Sequence, residues 1–175
     1  MDVLRTPDEA FAELPGFPFS PQYAELPDGL RMHYVDEGPR DAEAVLLLHG
    51  QPTWSYLYRT VIDRLVAHGL RAVAPDLVGF GRSDKPTART AHSVRGHVAW
   101  VTQFADALGL RGVTLVVQDW GGPIGLGMLA ERPGIVGRVV AANTALHTAD
   151  GTLEGRLAWP VHASGDATVT VSAAL

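Results

Sequence analysis

Short apolar runs alternate along most of the chain with stretches of helical periodicity. Four runs predict strands, at 44–48, 71–75, 113–117 and 135–142, and the first three are apolar on both faces, as in strands buried within a parallel sheet. Between them, apolar residues spaced three to four positions apart predict helices at 54–68, 92–108 and 121–132. Strands that alternate with helices form right-handed βαβ units. The pattern therefore predicts an α/β fold with a mostly parallel sheet flanked by helices.

The N-terminal part has a different pattern. Residues 1–21 contain four prolines and predict an extended arm on the surface. The runs 23–26 and 30–37 flank the turn sequence 27–29, Pro-Asp-Gly, and together they predict a β-hairpin. The stretch 76–91 is polar and contains two glycines, so it predicts a long loop of the kind that often carries function.

Composition narrows the class of protein. The chain has 175 residues, of which 46% are hydrophobic and 19% charged, which suits one globular domain. The net charge of −5 and the scattered basic residues argue against nucleic-acid or membrane binding. The absence of cysteine excludes thiol catalysis and cysteine-based metal sites within this sequence. Without an 18-residue apolar run or a signal-peptide layout at the N-terminus, we expect a cytoplasmic protein.

The most informative segment is 118–122, Gln-Asp-Trp-Gly-Gly, which follows a predicted strand and opens a predicted helix. Its small residues permit a sharp turn that lifts the side chain of Asp119 above the strand ends, as in a nucleophile elbow. A carboxylate is ionised near neutral pH, so it needs no base to displace a leaving group from saturated carbon or to open an epoxide. The alternative is that Asp119 only caps the following helix, and the segment taken alone slightly favours that alternative.

A second segment, His49-Gly50-Gln51-Pro52, also follows a predicted buried strand. In α/β-hydrolases one oxyanion-hole amide follows the nucleophile and the other comes from the loop after this earlier strand. The candidates here are the backbone N–H groups of Trp120 and Gln51. We interpret His49 as a structural histidine rather than as a catalytic base.

Three segments, at 49–59, 75–86 and 116–122, resemble the haloalkane dehalogenases, which are α/β-hydrolases with an aspartate nucleophile. The resemblance covers roughly residues 20–159. Its specific parts are 51–59 and 118–122, because the His-Gly-x-Pro and Gly-x-Gly-x-Ser patterns also occur in epoxide hydrolases and many esterases.

The resemblance implies that Asp119 attacks the carbon that bears the halogen and forms an alkyl ester. It implies that Trp120 and Trp159 donate indole N–H groups to the halide, although Trp159 could instead be a packing residue. Gln51 stands where the similar subgroup often has Glu, and we expect its backbone role to survive. A cis peptide at Gln51–Pro52 is also implied. The expected partners are a small halogenated alkane, halide and water, with no cofactor, metal or obligate protein partner.

The resemblance also implies a histidine base after the last strand and an acid that orients it. Asn143 stands where some subgroups have this acid, and an amide side chain cannot serve as the acid that orients the base. Asp150 and His162 follow Asp119 in a suitable order, but they lie in or beside the cap-like segment, and we interpret them as coincidental. We therefore expect a site without base and acid, capable of one turnover at most.

The expected organisation is an α/β-hydrolase fold truncated before its last strands, with only the start of a helical cap. Residues 1–142 would form the N-terminal part of the core, 143–159 the start of the cap and 160–175 a divergent tail. The Thr-Val alternation at 168–172 matches neither a helix nor a buried strand of this fold, so the tail is interpreted as foreign to it. The strand at 135–142 would then be an exposed edge.

Two other functions remain open. An epoxide hydrolase shares the aspartate, but it needs cap tyrosines, and the four tyrosines here are at positions 23, 34, 56 and 58. A catalytically inactive fragment is the second alternative. A serine esterase is disfavoured, because no Gly-x-Ser-x-Gly motif occurs.

Overall fold

The computed structural model describes residues 2–144 and 168–171. In chain order the strands and helices of these residues are β1 (Val3–Leu4), β2 (Gln22–Glu25), β3 (Arg31–Glu37), β4 (Ala44–Leu48), α1 (Arg59–Ala67), β5 (Arg71–Pro75), β6 (Lys85–Pro86), α2 (Val94–Ala107), β7 (Val113–Gln118), α3 (Gly121–Glu131), β8 (Val136–Ala142) and β9 (Thr168–Val171). The predicted strands, helices and hairpin are all present, with ends that differ by a few residues, and the helix predicted at 54–68 consists of a 3-10 helix at Ser55–Tyr58 followed by α1. The 76–91 stretch is a loop apart from β6 and a 3-10 turn at Arg89–Ala91.

One sheet contains seven of these strands in the order β2-β3-β5-β4-β7-β8-β9. The strand β3 is antiparallel to β2 and β5, and the pairs from β5 to β9 are parallel. Leu46 of β4 lies beside Val73 of β5 and Leu115 of β7. Parallel pairing brings the carboxyl ends of β5, β4 and β7 to the same edge of the sheet, and the loops that leave this edge build the candidate site.

Side chains of β4 alternate between two hydrophobic clusters, as expected for successive residues of a strand. Leu46 packs with Val101 and Phe104 of α2 on one face. Leu47 packs with Ile62 of α1 on the other face. All five side chains are fully buried, so both faces of the central strand are covered by helices. None of the helices described has the length and hydrophobicity required to cross a membrane.

The N-terminal arm is only partly extended, because a 3-10 helix occupies Asp8–Phe11, and it is attached to the loop after β5. Strand β1 pairs with β6, and the Arg5 guanidinium donates through Nε to Oδ1 of the buried Asp84 at 2.7 Å. Farther along the arm, the Phe11 ring contacts Trp54 edge-on, with ring centroids 5.3 Å apart. The arm therefore helps to fix the loop that forms one wall of the candidate site.

Strand β9 corrects two expectations for the C-terminal part. It pairs in parallel with β8, from Arg138 beside Thr168 to Ala141 beside Val171, so the prediction that residues 168–172 add no strand to this fold is wrong. The expectation that β8 is an exposed edge is wrong for the same reason. Alternating Thr and Val have high β-propensity, and pairing satisfies the backbone groups that an edge strand leaves open.

Candidate active site

Asp119 lies in the tight turn between β7 and α3, as the sequence predicts for a nucleophile elbow. Its φ of 49° is in the left-handed region that non-glycine residues rarely adopt. Hydrogen bonds hold the turn: Gly122 N–H donates to Asp119 O at 2.9 Å, and Thr144 Oγ1 donates to the same oxygen at 2.6 Å. On the other side, Asp119 N–H donates to Asn143 O at 3.1 Å. The surrounding backbone thus maintains a strained conformation at this one residue.

Two glycines allow the elbow to pack directly against the end of β4. A Cβ at Gly121 would collide with the carbonyl oxygen of Leu48, and a Cβ at Gly50 would collide with the Asp119 carboxylate. Gly121, one of the small residues that suggested a sharp turn, is therefore required by close backbone approach as well.

The Asp119 carboxylate is directed toward the loop after β4. Its Oδ2 accepts a hydrogen bond from the backbone N–H of Gln51 at 2.8 Å. The N-cap of α3 is Trp120, whose side chain makes no capping hydrogen bond, and no backbone N–H of α3 donates to the Asp119 carboxylate. The alternative in which Asp119 serves as a helix cap is therefore wrong. The peptide bond between Gln51 and Pro52 is cis, as the resemblance implies.

His49 is completely buried, and both of its ring nitrogens have partners. Nδ1 lies 2.7 Å from Gly50 O, and Nε2 lies 2.9 Å from the backbone nitrogen of Leu77. A carbonyl only accepts and an amide only donates, so the proton is on Nδ1 and Nε2 is the acceptor. Burial lowers the pKa of this imidazole and favours its neutral form. This geometry agrees with the interpretation of His49 as a structural residue.

A cavity of about 370 Å³ opens at the carboxyl edge of the sheet, beside the elbow. Its wall is mainly apolar and includes Gln51 and Trp120, the two predicted oxyanion-hole residues. Trp120 is 41% exposed, which is high for an indole. The other lining residues are Gly50, Leu77, Phe80, His92, Ser93, Val94, His97 and Ile124.

His97 is a cavity residue that the sequence interpretation missed. Its Nδ1 is buried and has no hydrogen-bond partner among the residues described. Burial, and secondarily the charges of His92 and His49, lower its pKa to about 4, so the imidazole is neutral at pH 7. Its position one turn into a helix resembles that of many packing residues, and no local motif distinguishes it.

Asp76 lies directly after β5, in the segment 75–86 that resembles haloalkane dehalogenases. The sequence assigned it no role of its own, yet its hydrogen bonds hold part of the cavity wall in place. It is fully buried, and His33 Nδ1 lies 2.8 Å from its Oδ2. Backbone N–H groups of Ser55 and Arg82 also donate to its carboxylate, at 2.9 and 2.8 Å. Burial acts to raise the pKa of Asp76, but His33 and the two amides outweigh it and hold the pKa below its ordinary value. The carboxylate thereby fixes the loop that supplies Leu77 to the cavity.

Three residues named in the sequence interpretation, Trp159, Asp150 and His162, lie outside the residues described by the structure. Within the described ranges, no three His, Asp or Glu side chains are grouped closely enough to hold a metal ion. The site that the structure brings together consists of Gln51 and Trp120, which line the cavity, and Asp119, which accepts a hydrogen bond from the Gln51 N–H and directly precedes Trp120.

A model of the alpha/beta hydrolase fold family matches residues 43–164. The match spans more than half of the chain, so this chain belongs to the alpha/beta hydrolase fold family, and the predicted fold class is confirmed. It is 53% identical over 164 residues to the haloalkane dehalogenase of Psychrobacter cryohalolentis, covering 91% of this chain and 54% of that relative. The predicted resemblance to haloalkane dehalogenases is thus confirmed, and the chain spans about half the length of the curated relatives it matches.

Solved structures of two enzyme classes are similar to this fold. The tetrameric haloalkane dehalogenase of Paraglaciecola agarilytica NO2 superposes with a TM-score of 0.79 and 44% identity, covering 83% of this chain and 50% of that one. An epoxide hydrolase of Vigna radiata superposes with a TM-score of 0.68 and 31% identity, covering 73% of this chain and 41% of that one. Because both classes share the fold, function has to be argued from the site.

Proposed function

We propose that the chain cleaves carbon–halogen bonds of small haloalkanes through an ester formed on Asp119. The observation that supports this proposal is the Asp119 carboxylate itself, held at a strained turn by the Gln51 amide beside an apolar cavity. A saturated haloalkane is apolar and compact, so it suits such a cavity. The identity to curated haloalkane dehalogenases favours this class of substrate.

In the first step, Oδ1 of Asp119 attacks the carbon that bears the halogen. A C–O bond forms, the C–halogen bond breaks, and the halide leaves with the bonding electron pair. Oδ2 stays with the Gln51 N–H, so the hydrogen bond orients the carboxylate without occupying the attacking oxygen. The Trp120 indole N–H is the proposed donor to the departing halide, since it donates without a competing acceptor. Trp159, outside the described residues, remains the proposed second donor.

In the second step, water adds to the carboxyl carbon of the ester, the alcohol leaves, and Asp119 is restored. Negative charge develops on the carboxyl oxygen, where the backbone N–H groups of Gln51 and Trp120 form the proposed oxyanion hole. A base must take a proton from the water, and His49 is unsuitable because both of its ring nitrogens are engaged. That the chain lacks base and acid, and so stops after one turnover, stays a prediction.

Epoxide hydrolysis is the second candidate, because an epoxide hydrolase of known structure shares the fold. That reaction needs a donor to protonate the epoxide oxygen. Tyr58 donates its hydroxyl to Leu48 O at 2.8 Å, and Tyr56 donates to Pro15 O at 2.8 Å. Tyr23 and Tyr34 lie on β2 and β3, away from the elbow strand. These positions of the tyrosines favour a haloalkane over an epoxide as the substrate.

The test mixes the protein with excess 1,2-dibromoethane and follows bromide release, with Asp119→Asn as the matched control. We expect release that approaches one equivalent per chain, and none from the control. Continued release far above one equivalent would contradict the predicted lack of a base, and no release from the unmodified chain would contradict the proposed function. Turnover of styrene oxide without bromide release would favour the epoxide alternative.

A further inference from the structure

The peptide unit between Gly50 and Gln51 is held at both of its polar ends. Its carbonyl oxygen accepts a hydrogen bond from His49 Nδ1 at 2.7 Å, and its N–H donates to Asp119 Oδ2 at 2.8 Å. The peptide group is planar, so a contact that fixes the carbonyl direction also fixes the direction of the N–H. The orientation of the candidate oxyanion-hole amide therefore depends on the imidazole of His49.

His49 is itself held in one position. It is 0% exposed, its Nε2 accepts the Leu77 N–H at 2.9 Å, and its ring contacts Phe80 edge-on with centroids 5.4 Å apart. These contacts leave one tautomer, with the proton on Nδ1. A continuous series of hydrogen bonds thus runs from the loop after β5, through His49 and one peptide, to the Asp119 carboxylate.

We propose that His49 is a positioning residue for the nucleophile, which as the neutral Nδ1–H tautomer aligns and polarises the Gly50–Gln51 peptide against Asp119. A hydrogen bond to the carbonyl draws electron density from the peptide and makes its N–H a stronger donor. The N–H then holds Oδ2 before attack and stabilises the charge that develops there during ester hydrolysis. The part that concerns the reaction rests on the proposed function, whereas the hydrogen-bond series does not.

Two substitutions separate this role from mere filling of the core. His49→Asn retains an N–H donor near the position of Nδ1, so it can still bond the Gly50 carbonyl, but it loses the acceptor for Leu77. His49→Gln retains an acceptor near the position of Nε2 and loses the donor to Gly50. Each variant loses one hydrogen bond and replaces the ring with an acyclic amide, so a structural role alone would affect both similarly.

The first measurement is the backbone 1H–15N resonance of Gln51 in the unmodified chain, both His49 variants and Asp119→Asn. We expect this resonance to move in Asp119→Asn and His49→Gln and to stay near its original position in His49→Asn. Equal movement in the two His49 variants would overturn the proposal. The imidazole 15N resonances of the unmodified chain give a test that needs no variant, since protonation at Nε2 instead of Nδ1 would also overturn it.

The second measurement is the rate at which 1,2-dibromoethane adds to Asp119, followed by mass spectrometry. We expect His49→Gln to be slower than the unmodified chain by about 10-fold or more, and His49→Asn by less than about 3-fold, because misalignment of a group near the reacting atoms is costly. Equal rates in the two variants would contradict the positioning role. If the unmodified chain forms no adduct, the proposed function fails, and the resonance measurement still decides the role of His49.

Discussion

Asp76 follows β5 and Asp119 follows β7, the two strands that lie on either side of β4 in the sheet. The surroundings of the two carboxylates nevertheless differ. Asp76 is fully buried and accepts hydrogen bonds from His33 and two backbone amides. Asp119 is partly buried, and its carboxylate accepts the Gln51 N–H beside a cavity. Position at the carboxyl edge of a sheet therefore does not by itself decide how far a carboxylate is buried. The number of hydrogen bonds that it accepts differs as well, and on this difference rests the proposal that Asp119 reacts and Asp76 holds the structure together.

The backbone explains much of this contrast. The left-handed conformation of Asp119 lifts its side chain out of the strand, and the neighbouring glycines let the elbow approach β4 closely. Asp76, in contrast, lies where the loops after β4 and β5 meet, and their amides surround it. Substitutions at the two aspartates should therefore affect different properties of the molecule.

The largest expected effect is on reactivity at Asp119. Asp119→Asn should reduce adduct formation with 1,2-dibromoethane by more than about 10³-fold, because the amide is not a nucleophile under these conditions. The free energy of unfolding should change by less than about 1 kcal/mol, since Asn tolerates the left-handed conformation better than most residues. Bromide release and urea denaturation measure the two properties. Retained bromide release in this variant would show that the reactive group lies elsewhere.

The opposite result is expected at Asp76. Asp76→Asn should lower the free energy of unfolding by about 3 kcal/mol, because it leaves His33 without its charged partner in a buried site. The matched control is Asp8→Asn: Asp8 is 85% exposed and lies 3.5 Å from Arg82, so its loss should cost less than about 0.5 kcal/mol. Urea denaturation of both variants checks this prediction. Equal stability of the two would mean that the buried hydrogen bonds do not hold the loop.

Close packing of the elbow can be tested at Gly121. Gly121→Ala should destabilise the fold by about 2 kcal/mol and slow adduct formation, because its Cβ would collide with the rigid backbone at Leu48. Gly134→Ala is the control, since a Cβ there would meet no atom within 4 Å, and its effect should be below about 0.5 kcal/mol. Thermal melts and adduct rates of the two variants measure the difference. A tolerated alanine at 121 would contradict the packing of the elbow on β4.

The smallest expected effect concerns pH and the cavity wall. Burial, followed by His92 and His49, lowers the pKa of His97 from 6.5 to about 4. Between these values the unfolded chain binds a proton that the folded chain does not, so stability falls as pH decreases from about 6.5 to about 4. His97→Gln should reduce the loss of stability between pH 7 and pH 5 by about 1 kcal/mol, a value discounted for partial exposure. Urea midpoints at the two pH values test this, and an unchanged difference would contradict it.

The sequence predicted those parts of the site that depend on local order. Apolar periodicity located the strands and helices, and the small residues after Asp119 identified the turn before any contact was known. These two predictions depend on neighbours within a few positions of the chain. The oxyanion-hole role of the Gln51 N–H came instead from the general pattern of α/β-hydrolases, and it stays a prediction.

The parts that were missed depend on contacts between residues far apart in the chain. His33 and Asp76 are 43 positions apart, and His49 and Leu77 are 28 positions apart, so no local pattern joins them. Strand β9 was missed because its alternating Thr and Val residues form a strand by pairing with β8, and the sequence does not show that pairing. The series of hydrogen bonds behind the Gln51 amide is consequently visible only in the folded chain.

The central claim, that Asp119 reacts and Asp76 does not, is tested most directly by locating the alkyl group. The unmodified chain is incubated with 1,2-dibromoethane, digested and analysed by tandem mass spectrometry. We predict a bromoethyl ester on Asp119 and an unmodified Asp76. An alkyl group found on another residue, with Asp119 unmodified, would contradict the account.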